Sequence, residues 1–201
     1  ATNLASLHAF LSDTLLLTGE GFDPPVTTPS WGVLERPEAP TPEGPGVGVL
    51  FYRAQYVADN VAYVHALADA IDAAGGVGEP VFVSSLRDPE AELLEHLRRY
   101  DALVTTVLAA GGTRPASAGA GEDDESWDVQ ALAALDVPIV QGLCLTWGRE
   151  DWLDSDDGMT PLDVATQVAV PEFDGRIISV PFSFKEFDED GLATYVADPE
   201  R

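Results

Sequence analysis

Apolar positions along this chain follow two alternating rhythms. Residues 47–52 form an unbroken apolar run, which predicts a strand buried on both faces. Over residues 57–74, Val57, Val61, Val64, Leu67, Ala68 and Ile71 recur on one helical stripe, which Gly75 and Gly76 close. Residues 81–83 predict a second strand, and residues 89–99 a second helix opened by Pro89. The alternation continues with a third strand at 102–107, a third helix at 126–135 and a fourth strand at 137–143. A helix started by Thr160 and Pro161 runs to about residue 168, and residues 177–180 predict a fifth strand. The stretch 109–125 is rich in Gly, Ala and acids and reads as a loop.

A different pattern precedes this alternation. Leu4, Leu7, Leu11 and Leu15 recur at helical spacing over residues 3–17, with Asn3 placed to cap. Residues 21–46 hold seven prolines, which predict an extended strap in place of regular structure, with Trp31 and Leu34 as its anchors. The expected division is therefore 1–46, a helix and Pro-rich linker, and 47–201, an α/β domain. Alternating β and α units imply a parallel sheet of four to five strands with helices on both faces, flavodoxin- or Rossmann-like. Ligands of such sheets sit beyond the carboxyl ends of the strands, at the topological switch point. That rule selects Arg53 and Gln55, Ser84 and Ser85, Thr105 and Thr106, and Gln141.

Charge narrows the classes of function. The 201 residues include 35 acids and 10 bases, a net charge of −25, and Lys185 is the single lysine. The halves carry 14 acids against 5 bases (1–100) and 21 against 5 (101–201), so the excess is spread and is not a tail. A carboxylate-covered, lysine-poor surface reads as adaptation to high salt, where screening limits self-repulsion. No basic stripe exists to neutralise phosphates, which argues against nucleic acid. No apolar run approaches the roughly 20 residues of a membrane span. The start, Ala1-Thr2-Asn3, has no basic n-region, and the lone Cys144 fits a reducing cytoplasm. Cys144 lies in an apolar run and reads as a small buried residue, not a nucleophile.

Motif absences remove further classes. There is no GxxxxGK[ST], so ATP hydrolysis by a P-loop is not expected, and GxSxG, HExxH and CxxC are also missing. His8, His65 and His96 fall on three different predicted helices, which favours helix-face positions over a shared metal site. The cluster Glu150, Asp151, Asp154, Asp156 and Asp157 reads as a solvated loop before it reads as a cation station. Glu172 lies in a mostly apolar neighbourhood, Ala169 to Phe173. It is either a partly desolvated carboxylate suited to proton transfer or a turn-forming acid paired with Arg176. Arg53, at the end of the first strand, either makes bidentate contact with a ligand carboxylate or forms a structural bridge to Asp88 or Asp59.

Several stretches, taken in order, resemble the CobN family, the tetrapyrrole-binding large subunit of cobaltochelatase, which is related to the large subunit of magnesium chelatase. They are VGVLFYRAQYVADN at 47–60, VFVSSLRDP at 81–89, LDVPIVQ at 135–141, and 158–185, with its Pro-started helix, PEFDGRI and Ser-Phe-Lys ending. The YRA…N pattern is of the cobalt type. The resemblance implies ATP-dependent insertion of Co(II) into a corrin precursor during cobalamin synthesis. It implies that separate AAA+ subunits hydrolyse the ATP. Family members are several times longer, so this chain is expected to be a fragment, inactive in isolation. Within that resemblance Glu172 becomes the expected base or metal-relay ligand. Arg53 and Arg176 are expected to meet macrocycle carboxylates, and Ser84, Ser85 and Gln141 to hydrogen-bond. The competing readings are the magnesium branch, a non-catalytic scaffold that docks the AAA+ subunits, and a flavodoxin-like small-molecule module. The missing phosphate-cradling loop counts against FMN in the last of these.

Salt dependence tests the charge reading. Raising KCl from about 0.1 M to about 2 M is expected to raise the melting temperature by at least about 5 °C, equivalent to roughly 2 kcal/mol in a domain of this size. A melting temperature that stays level or falls across that range overturns salt adaptation.

Overall fold

Strand β2 (Gly46–Tyr52) is the middle of the molecule, because its side chains are buried on both sides. Leu50 enters one apolar cluster, while Val49 and Phe51 enter the other. The computed structural model describes residues 2–36, 43–87, 89–108 and 130–200. Its other elements are α1 (Thr2–Leu16), β1 (Trp31–Val33), α2 (Arg53–Val57), α3 (Ala62–Ala73), β3 (Val77–Val83), α4 (Ala91–Leu97) and β4 (Ala102–Thr105). After these come α5 (Gln130–Ala133), β5 (Ile139–Leu145), α6 (Arg149–Asp154), α7 (Pro161–Asp163), a π-helical stretch (Val164–Ala169), α8 (Val170–Phe173), β6 (Ile177–Phe187) and β7 (Ala193–Ala197).

The strands form one seven-stranded sheet in the order β1-β3-β2-β4-β5-β6-β7. Strands β3, β2, β4, β5 and β6 run parallel, while β1 and β7 pair antiparallel at the two edges. The parallel core therefore has the flavodoxin-type order, with its switch point between β2 and β4. The α/β class read from the pattern holds, in a sheet larger than expected and antiparallel at both edges. Leu93 and Leu97 of α4 and Leu132 of α5 pack with Leu50, Val81, Val83 and Leu103. Tyr63 and Val64 of α3 pack with Val49, Phe51, Phe82 and Cys144.

Several expected elements change where tertiary contacts compete with local pattern. The helix expected over 57–74 begins at Ala62, because Asp59 takes a left-handed φ of 58° and breaks the chain after α2. Val57 consequently lies exposed. The proline-rich strap contains the short strand β1, whose Trp31–Val33 pair with Val81–Val83. Trp31 and Leu34 do anchor it, each against a core cluster. Strand β3 starts at Val77 and continues through Pro80, earlier than the 81–83 run predicts. The helix begun at Thr160 passes through Pro171 and ends before Gly175, whose φ is 76°. The fifth strand extends to Phe187, and β7 was not foreseen. The loop 109–125, the start of the 126–135 helix and the carboxylate of Asp88 lie outside the described residues.

Helix α1 forms, yet none of its residues is buried. Asn3 does not cap it. Its amide donates to the Val26 carbonyl and its carbonyl accepts from the Val26 amide, each at 2.8 Å, so Asn3 clips helix to strap.

Helix α3 approaches β3 at Gly78, where a Cβ would meet Ala68 O at 2.7 Å and Ala68 Cα at 2.8 Å. Backbone cannot yield as a flexible side chain can. Gly78→Ala is therefore expected to cost roughly 2 kcal/mol by overpacking, seen as a lower urea midpoint with an unchanged slope. A midpoint equal to the parent's would show that α3 can move off the sheet without penalty.

Candidate functional site

The carboxyl edge of the parallel strands holds a cavity of about 410 Å³ at the switch point. Tyr52 at the end of β2 and Val107 and Leu108 after β4 supply part of its wall. Thr166 and Val170, from the long helix after β5, supply another part. Ser84, Ser85 and Arg87, on the loop after β3, supply the most polar part. Tyr52 is locked in place because its hydroxyl accepts from Leu108 N at 3.0 Å.

The loop residues differ in how they are used. Ser84 donates its hydroxyl to Ser30 O at 2.8 Å, tying the loop to the strap. Ser85 Oγ accepts from Arg87 N at 3.1 Å. Thr106 donates to Leu50 O at 3.2 Å and Thr105 Oγ accepts from Val107 N at 3.1 Å. These two threonines are buried and serve the strand ends. Gln55 accepts from the Tyr63 hydroxyl at 2.5 Å.

Both expected carboxylate-binding arginines are spent within the protein. Arg53 donates to Pro29 O at 2.7 Å and Thr28 O at 2.9 Å, so it holds the strap and bridges neither to a ligand face nor to Asp59. Arg176 lies wholly inside, bridged to Asp174 at 2.6 Å, with both side chains fully buried. It also donates to Val107 O and Gln141 Oε1, each at 2.5 Å. Burial holds the guanidinium below its usual pKa, against the opposing charge of Asp174. Gln141 was expected near the end of its strand; β5 continues to Leu145, and Gln141 is fully buried. Neither Gln141 nor Arg176 can reach a ligand in this arrangement.

Glu172 sits in α8 with its side chain exposed, so the expected partial desolvation is absent. It is not the partner of Arg176, which pairs with Asp174. Its neighbour Pro171 is the buried residue of α8 instead, which explains why the local sequence suggested burial.

A polar cluster that the sequence pattern does not single out surrounds Asp163. This carboxylate is fully buried and accepts from Thr146 N and Oγ and from Thr160 Oγ, at 3.3, 3.1 and 3.0 Å. Asp163 N donates back to Thr160 Oγ at 3.0 Å, a reciprocal cap for which Thr160-x-x-Asp163 was a legible signal. The Cys144 thiol is buried beside Tyr63 and Ser183, and burial pushes its pKa up to about 12. Among the described residues no group of three or more His, Cys, Asp or Glu side chains could hold a metal ion. His8, His65 and His96 do lie on three separate helices, α1, α3 and α4.

Comparison with known proteins adds the following. The family model described as CobN/Magnesium Chelatase matches residues 1–201. The aerobic cobaltochelatase subunit CobN of Pseudomonas aeruginosa is 32% identical over 166 residues, 78% of this chain and 12% of that protein. The chloroplastic magnesium-chelatase subunit ChlH of Oryza sativa subsp. indica is 28% identical over 148 residues, 72% of this chain and 11% of that protein. The solved catalytic subunit of cobaltochelatase from Mycobacterium tuberculosis superposes with a TM-score of 0.83 at 63% identity, covering 99% of this chain and 17% of that one. This chain thus spans a small part of the length of each.

Two measurements check the buried chemistry. Arg176→Met deprives buried Asp174 of its guanidinium and is expected to cost about 3–5 kcal/mol in urea unfolding, while adding Asp174→Leu recovers most of that loss. Equal stability of single variant and parent would mean that the pair is solvated in solution. With a pKa of about 12, Cys144 is about one part in 10⁴ thiolate at pH 8. A disulfide reagent should therefore label it about a thousandfold more slowly in the folded protein than in urea. Because folding raises this pKa, the thiol's contribution makes stability fall as pH rises above its unfolded value of about 8.5. Rapid labelling of folded protein would refute the burial.

Proposed function

The chain belongs to the CobN/magnesium chelatase family, and we propose that it is part of the tetrapyrrole-binding large subunit of an ATP-dependent cobaltochelatase. The proposed reaction inserts Co(II) into a corrin precursor, hydrogenobyrinic acid a,c-diamide, in the cytoplasm. The observation that carries the cobalt reading is the 63% identity to the tuberculosis cobaltochelatase subunit, against 28% to the rice magnesium-chelatase subunit. ATP is hydrolysed by AAA+ partner subunits in this reading; the sequence itself contains no P-loop motif.

Chelation requires loss of two pyrrolic protons and a donor set that strips water from the metal. In this reading Glu172 accepts a proton or relays the metal. Its exposure on α8 leaves it reachable by a macrocycle, and the helix that carries it also contributes Thr166 and Val170 to the cavity. Ser84 and Ser85 act as neutral hydrogen-bonding groups on the facing loop. A second reading, a scaffold that docks the AAA+ subunits, is favoured by one observation. Helix α1 leaves Leu4, Leu7, Leu11 and Leu15 exposed on the stripe the sequence predicts.

Absorbance titration of this chain in molar salt, with hydrogenobyrinic acid a,c-diamide and with a porphyrin, tests the assignment. Saturable binding of the corrin alone supports the cobalt reading, and binding of the porphyrin alone overturns it in favour of magnesium. In the full-length subunit with its AAA+ partners, ATP and Co(II), Glu172→Gln is expected to lower kcat by about 100-fold or more. Normal chelation by that variant removes Glu172 from the mechanism.

A further inference from the structure

We infer that Arg87, together with the Ser85 hydroxyl, binds a peripheral carboxylate of the tetrapyrrole in the switch-point cavity. The inference rests on the functional reading above and names the group that would replace Arg53 and Arg176 in it.

Its first support is the disposition of positive charge. Eight of the ten basic residues are described. Arg36, Arg98, Arg99, Arg149 and Arg176 pair with carboxylates. Arg53 is held by two strap carbonyls, and Lys185 lies over the Phe187 ring. Arg87 is the one whose side chain meets no carboxylate, carbonyl or ring among the described residues. In a protein with 35 acids, an arginine without a carboxylate partner is unexpected. Glu90, close by in sequence, accepts instead from Ser30 Oγ.

Position is the second support. The exposed Arg87 lines the cavity at the switch point of the parallel strands, where open α/β sheets place their ligands. Its own amide is fixed by Ser85 Oγ at 3.1 Å, which sets the backbone from which the guanidinium extends. Ser85 Oγ accepts there, so its proton remains available to a second acceptor. A guanidinium fork and a hydroxyl proton in a cavity that apolar Val107 and Val170 also line suit a carboxylate at the end of an aliphatic arm. A cavity of about 410 Å³ admits such an arm and one edge of a macrocycle; the remainder of the ring would lie outside it.

The test uses the full-length large subunit carrying this chain, as wild type, Arg87→Gln and Arg87→Lys. Binding of hydrogenobyrinic acid a,c-diamide and of its methyl ester is followed by absorbance. Loss of a charge-assisted contact is expected to weaken acid binding by roughly 10- to 100-fold in Arg87→Gln, with a smaller loss in Arg87→Lys. The ester should bind wild type and both variants alike. Because Arg87 has no partner among the described residues, the variants' melting temperatures should match the parent's. Undiminished binding of the acid by Arg87→Gln overturns this inference alone, as does an equal loss for acid and ester. A wild-type subunit that binds neither compound overturns the functional reading and this inference with it.

Discussion

The buried guanidinium of Arg176 is the constraint on which the carboxyl edge depends. From the turn after α8, it reaches Asp174, the Gln141 side chain of β5 and the Val107 carbonyl beyond β4. A charge taken out of water is tolerated when it is hydrogen-bonded and a counter-charge is close. Satisfying it requires that the helix end, β5 and the β4 exit be in register. The same contacts hold Val107, which lines the cavity, so part of the cavity wall is fixed by the neutralisation of one arginine.

A second arginine does comparable work at the carboxyl end of β2. Arg53 grips two carbonyls of the strap, and Ser84 returns a bond to Ser30, so the strap is laced along the edge where β2 and β3 end. Asn60 meanwhile accepts from Thr194 Oγ and Tyr195 N, binding the antiparallel edge strand β7 to the α2–α3 corner. The Arg and Asn of the YRA…N pattern therefore both hold distant pieces of chain. This leaves the ligand-facing duty to Ser85 and Arg87 of the loop after β3, which such lacing does not consume.

Much of the fold was legible because its signals are local. The apolar run in β2, the helix start at Thr160 and Pro161 and the Gly75-Gly76 stop report burial and backbone geometry at their own positions. Less of the site could be read. The loop after β3 was selected by the edge rule, which named Ser84 and Ser85 and passed over Arg87. Whether an arginine is free depends on partners that can lie far away in sequence, as Thr28 and Pro29 do for Arg53. The expected burial of Glu172 failed for a more local reason. Its apolar neighbours do not imply burial when Pro171 faces inward and the next side chain turns outward.

By itself the sequence determined the strand–helix alternation, the acid-rich and lysine-poor surface, the absence of common catalytic motifs and the resemblance in ordered stretches to one family. These are properties of composition and short-range pattern, and no folding is needed to express them. Tertiary structure alone decided the strand order, the antiparallel edges and the fate of each arginine. A side chain's role depends on which partners reach it first, and those partners are brought by pairing between strands remote in the chain. The difference between a buried clamp at Arg176 and an open cation at Arg87 is of that kind.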